Sequence, residues 1–130
     1  KSLHARIRNV RLIDQTLLVV QVEGDGREVV TTLVKSPVLS GIKLIAAVSA
    51  DLDLSDQESF LWGIFTRFDP ARDVVFTQAE LNGVWPVYRG CLGIDATFKQ
   101  GYPDPVVMDP AVVRLVGSRW GEYGLAHHSA

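Results

Sequence analysis

The sequence predicts an α/β domain of α+β character: a small mixed sheet with an N-terminal hairpin, a βαβ-like unit and a C-terminal helix. Three observations predict it. Two strand-like runs, "ARIRNVRLI" and "TLLVVQVEG", flank a short polar turn near the N-terminus. A nearly continuous apolar run, "IKLIAAVS", precedes a segment with clear helix start and stop signals. The stretch "MDPAVVRLVGSRWGEYGL" places an Asp and a Pro where a helix begins.

In the first run Ile7 and Val10 stand among polar residues, Asp14-Gln15 suits a turn, and the second run stops at Gly24-Asp25-Gly26. In "REVVTTLVKS", Val29, Val30, Leu33 and Val34 make a helical stripe despite the modest helix propensity of Val and Thr. Ser36-Pro37 stops that helix. The 42–49 run reads as a strand covered on both faces. A helix over 56–67 follows, with Ser55 and Glu58 at capping-box spacing and Phe60, Leu61, Ile64, Phe65 and Phe68 at helical intervals. "DVVFT" is then a second strand, making 42–77 a βαβ-like unit. Residues 78–105, rich in Gly and Pro and carrying Trp85, Tyr88, Phe98 and Tyr102, read as a long loop. In the last helix, with Asp109 as N-cap, Val112, Val113, Leu115, Val116 and Trp120 are expected to face inward, and "AHHSA" is a tail.

Composition bounds the function. The 130 residues fit a single domain over 1–130, large enough to bury a core. The apolar fraction of 47% and charged fraction of 22% are ordinary globular values. A net charge of −2 gives no electrostatic case for nucleic acid or an anionic membrane, and no apolar run has the length of a membrane span. One cysteine, Cys91, leaves no disulfide framework and points to a reducing cytoplasm. The first residue is Lys1, with no apolar signal-peptide core behind it, so processing, trimming or a fragment of a longer protein is expected.

No self-contained catalytic set emerges. Asp51, Asp53 and Asp56 group as oxygen ligands for a metal would, but helix capping after a buried strand explains them more simply. His4, His127 and His128 lie near the termini, away from any nucleophile motif. Cys91, between glycines in "RGCLG", reads as a packed small residue, with Arg89 a weak source of positive field. "GDGREV" lacks the spacing of a phosphate loop.

Taken together and in order, "SADLDLSDQESFLWGIFTRFDPARDVVF" and "GCLGIDATFKQGYP" resemble the C-terminal domain of the UbiD family of decarboxylases. The motifs are Asp51/Asp53, then Trp62-Gly63 with Thr66-Arg67, then the 69–73 turn "DPARD", then "GIDAT" over 93–97 with Lys99. The match is strongest over 43–99 and fades on either side; Ser49-Ala50 departs from the family, where another acidic residue is common. The resemblance implies a carboxy-lyase carrying prenylated FMN with Mn²⁺ and K⁺, acting on aromatic or α,β-unsaturated acids. Those groups and the acid–base residues belong to a larger catalytic domain, so this chain alone is expected to bind no cofactor and to be inactive.

The resemblance also implies two tasks for the C-terminal domain: building a homo- or hetero-oligomer and closing over the flavin pocket. The pocket-covering stretch is "AELNGVWPVYRG", with Trp85, Pro86, Val87 and Tyr88 as lid residues. Asp51, Asp53, Trp62, Thr66, Arg67, Asp95, Thr97 and Lys99 are structural or interface positions, with Arg67 and the 69–73 turn tying helix to strand. Trp62, Phe65 and Phe68 are core or interface anchors. The chain is then a fragment of a longer enzyme or a small subunit completing a separate catalytic chain; the alternative is a non-catalytic assembly module.

Overall fold

The computed structural model describes residues 6–102 and 108–123. His4, His127, His128 and the "AHHSA" tail lie outside them. One mixed sheet of five strands runs in the order β1-β2-β3-β5-β4. The strands are β1 (Ile7–Ile13), β2 (Leu17–Val22), β3 (Leu44–Ser49), β4 (Val74–Asn82) and β5 (Trp85–Ala96), with helices α1 (Gly26–Leu33), α2 (Gln57–Thr66) and α3 (Pro110–Ser118). The mixed sheet and its helices match the expected fold class.

β1 and β2 form the N-terminal hairpin. Its turn places Asp14 and Gln15 at φ of 48° and 55°, the left-handed pair that suits the right-handed twist of two strands. β2, β3 and β5 are mutually parallel. Their alternation divides the core. Val19, Ala46, Val48, Ile94 and Ala96 pack with Phe60 and Ile64 of α2. Val20, Val22, Ile45, Ala47 and Cys91 pack with Val29 and Val30 of α1 on the other face. β3 is therefore covered on both faces, as its unbroken apolar run requires. Gly93 lets α1 approach β5: a Cβ there would stand 2.2 Å from Val30 Cγ1.

Four local expectations change. α2 is capped by Asp56, whose carboxylate accepts from the Glu58 N–H, because Asp53 has already engaged the Ser55 N–H and hydroxyl. The strand after α2 is antiparallel to β5, so the parallel neighbours of β3 are β2 and β5. Most of the 78–105 stretch, through Ala96, is hairpin and not loop: β4 runs on to Asn82 and pairs with β5 from Trp85. Gly83, at φ 64°, opens a two-residue turn between them, and Trp85 and Tyr88 are good strand formers. Pro86 is tolerated because this half of β5 has only β4 beside it.

The fourth concerns α3. It is capped as expected, with the Asp109 carboxylate accepting from the Ala111 N–H. None of its residues is buried, and Val112, Val113, Leu115 and the following Trp120 are exposed. Its apolar stripe therefore contributes nothing to the core that the sheet builds.

Candidate functional site

Three parallel strands ending side by side leave their following loops at one edge, the usual place for a site in an open α/β sheet. A cleft of about 590 Å³ lies there, lined by residues 24–27 after β2, Arg72 and Asp73 before β4, and Asp95, Thr97, Phe98 and Lys99 at the end of β5. Gly26 permits the approach, since a Cβ would stand 2.4 Å from Asp95 Oδ1.

Asp73 is the hub. It is almost fully buried and accepts from the Asp69 N–H at 2.8 Å, the Tyr102 hydroxyl at 2.7 Å and the Arg72 guanidinium at 2.9 Å. The Arg72 hydrogen bond, helped by Tyr102, the Asp69 N–H and the charge of Lys99, outweighs burial and holds the Asp73 carboxyl well below the usual range. Burial and the Asp73 carboxylate push the Tyr102 phenol up.

Asp95 accepts from the Thr97 N–H at 3.1 Å and hydroxyl at 2.6 Å. Lys99 donates to the Asp95 and Thr97 carbonyls at 2.8 and 2.9 Å, and stands 3.4 Å from the Asp95 carboxylate. Arg27 donates to the Arg72 carbonyl. The side chains of Asp73, Asp95, Thr97 and Lys99 are thus partnered within the chain, as a structural knot requires.

A second cluster joins the motif residues of α2. Arg67, 3% exposed, makes two parallel hydrogen bonds to Asp51 at 2.9 and 2.8 Å. Its guanidinium lies 5.4 Å from the Trp62 ring and 5.5 Å from the Phe98 ring. The Arg67 hydrogen bond lowers the Asp51 pKa. Arg67 therefore ties α2 to the end of β3 through Asp51, while the 69–73 turn closes on its own Asp73. Thr66 donates its hydroxyl to the Trp62 carbonyl within α2. Trp62 and Phe65 are exposed, so neither is a core anchor; Phe68 packs partly buried against the core.

The lid residues lie elsewhere, on the outer half of the β4–β5 hairpin. Trp85 is 74% exposed, and Leu81, Val84 and Tyr88 are exposed beside it. Trp85 is thus largely uncovered by the other described residues. Strand alternation puts Trp85 and Val87 on one face and Pro86 and Tyr88 on the other. Tyr88 stacks on Phe76 at 4.0 Å.

The carboxylates at the strand ends are already engaged within the chain. Asp51, Asp73 and Asp95 are engaged by Arg67, Arg72 and Thr97, and among the described residues no three His, Cys, Asp or Glu side chains group as a metal would need. Cys91 is buried, and burial raises its thiol pKa, which suits packing rather than reactivity. Sequence reasoning missed Arg72, Tyr102 and residues 24–27 as parts of one cluster. The signal was topological: parallel pairing of β2 with β3 and of β3 with β5 brings the ends of β2 and β5 to one edge, and antiparallel pairing of β4 with β5 adds the segment before β4.

A mixed sheet with two helix-covered faces, a bonded motif cluster at the strand ends and a projecting hairpin defines a small α/β domain. The family model described as "3-octaprenyl-4-hydroxybenzoate carboxy-lyase C-terminal domain" matches residues 8–96. The chain belongs to the UbiD family, as its C-terminal domain. An uncharacterized protein of Aeropyrum pernix is 36% identical over 115 residues, covering 78% of this chain and 24% of that protein. One of Archaeoglobus fulgidus is 34% identical over 112 residues, covering 76% and 23%. The chain thus spans about a quarter of these relatives' length. Among solved structures, the UbiD-class enzyme HmfF from Pelotomaculum thermopropionicum, in complex with FMN, superposes with a TM-score of 0.59 at 19% identity, covering 85% of this chain and 28% of that one. The vanillic acid decarboxylase of Sedimentibacter hydroxybenzoicus in open form gives 0.51 at 19% identity, covering 82% and 26%. These two likenesses concern the fold.

Proposed function

We propose that this chain is the lid and oligomerisation domain, or the equivalent small subunit, of a UbiD-like carboxy-lyase acting on aromatic or α,β-unsaturated carboxylic acids. The observation that carries the reading is the outer hairpin, a two-stranded arm beyond the sheet with Trp85 and Val87 on one face and Trp85, Leu81 and Val84 exposed. An apolar arm of this kind excludes water from a pocket it closes and strengthens the electrostatics inside. Prenylated FMN, with Mn²⁺ and K⁺, belongs in this reading to the catalytic domain or partner subunit, where the flavin supplies the electron sink. The chain by itself turns over no acid. A cytoplasmic setting accords with the lone buried thiol; no helix among the described residues is long and apolar enough to cross a membrane.

A second reading is a non-catalytic assembly module, favoured by the uncovered apolar stripe of α3. Trp85→Ala in the assembled enzyme separates them. The lid reading expects turnover to fall at least tenfold with assembly intact. Unchanged turnover would leave the assembly module.

A further inference from the structure

The hairpin is not one continuous ribbon. Val74, Val75 and Phe76 pair with Ile94, Gly93 and Leu92, whereas Gln78 pairs with Arg89 and the pairing continues to Asn82 with Trp85. The register shifts between Phe76 and Gln78, so Gly90 and Cys91 together oppose Thr77. Gly90 has φ 82°, the left-handed glycine that marks one type of β-bulge. β5 also leaves β3 at Leu92, so the inner half of the hairpin is part of the sheet and the outer half is a free two-stranded ribbon.

Two contacts fasten the junction. Thr77 donates its hydroxyl to the Cys91 carbonyl across the bulge. Phe76, on the inner half, stacks on Tyr88, on the outer half, with centroids 4.0 Å apart and planes 21° from parallel. The stack thus spans the break in register.

We propose that the outer half of the hairpin is a separately orienting arm, articulated at the Thr77/Gly90 bulge and latched by the Phe76–Tyr88 stack. A bulge interrupts the ladder and concentrates bending at one place. A two-stranded ribbon has little stability of its own, so its direction depends on what holds its base. The proposal goes beyond the lid reading and does not rest on it: the arm articulates whatever it covers.

The test is residue-resolved amide hydrogen exchange on this chain and two variants, Tyr88→Leu and a deletion of Gly90 that restores a continuous register. In the parent chain, the amides of residues 78–82, 85 and 87–89 are expected to exchange as one block, with a step in protection at the bulge. Tyr88→Leu removes the aromatic stack and is expected to speed the outer block roughly threefold to tenfold while residues 74–76 and 92–94 stay unchanged. Deleting Gly90 is expected to smooth the step. Protection that declines evenly from base to tip in the parent, or a Tyr88→Leu effect equal on both halves, would overturn the articulation. Should the deletion fail to fold, Tyr88→Leu and the parent profile decide it.

Discussion

The cleft at the strand ends and the arm beyond the bulge grow from the same strand, β5, and differ in what their side chains still need. At the inner end Asp95, Thr97 and Lys99 bond one another, and Asp73 accepts from Asp69, Arg72 and Tyr102. At the outer end Leu81, Val84 and Trp85 are exposed. The polar motif at the inner end is therefore bonded within the chain, and the exposed surface at the outer end is apolar. Residue type alone suggests the reverse, because carboxylates, lysine and arginine look like chemistry. Partnering separates the two ends: the buried carboxylate of Asp73 has its hydrogen bonds met within the chain.

The contrast breaks most visibly at Asp73. Asp73→Ala leaves Arg72, Tyr102 and the Asp69 N–H without their shared acceptor, and should destabilise the chain by about 2–4 kcal/mol. Urea denaturation checks it; a loss below about 0.5 kcal/mol, the size of an ordinary surface change, would mean that the knot holds nothing. Gly93→Ala comes next. Its new methyl would meet Val30 and Val34 at 2.2 and 2.9 Å, forcing α1 off the sheet at a cost of about 1–3 kcal/mol. A neutral result would show that α1 shifts freely on β5.

Acid sharpens the comparison. The folded-state pKa values of Asp73 and Asp51 are both lowered, so the unfolded chain binds their protons more readily. Their contribution is complete above the unfolded aspartate value of about 3.9 and is lost as pH falls below it towards the folded values. The chain should then lose stability steeply below about pH 4, and Asp73→Asn should flatten that slope. Half-exposed Asp51 adds less, because solvent screens its pairing with Arg67. Equal acid slopes for the parent and Asp73→Asn would remove Asp73 from the account.

Much of the fold was legible because its signals are local. The N-terminal hairpin, the stop at Ser36-Pro37, the two-sided apolar run of β3 and the span of α2 all follow from periodicity and punctuation. The 78–105 stretch misled for a physical reason. Its Gly and Pro residues look like loop, yet Gly83 makes a tight turn, Pro86 sits beside a single partner strand and Gly90 occupies a bulge. The inward-facing reading of α3 failed because an amphipathic stripe reports that a helix wants a partner, not that its own sheet supplies one. In the candidate site, Asp51, Arg67, Asp95 and Lys99 were visible as motif members. Which of them bond each other was not visible, because Arg67 reaches Asp51 across 16 residues and Tyr102 reaches Asp73 across 29.

The smallest stability effect belongs to the residue with the largest proposed effect on turnover. Trp85 is 74% exposed and lies at the tip of the arm, so Trp85→Ala should change the unfolding free energy of the chain by no more than about 0.5 kcal/mol. A loss well beyond that would mean that the indole is held by its own domain, and a fall in turnover could then come from misfolding. Near-neutral stability removes that explanation. A turnover defect in the assembled enzyme would then have to arise where the indole meets something outside this chain. Val87→Ala, on the same face, should share the defect, and Tyr88→Leu, on the opposite face, should act through arm orientation instead. A defect for Trp85→Ala without one for Val87→Ala would confine the covering contact to the tip.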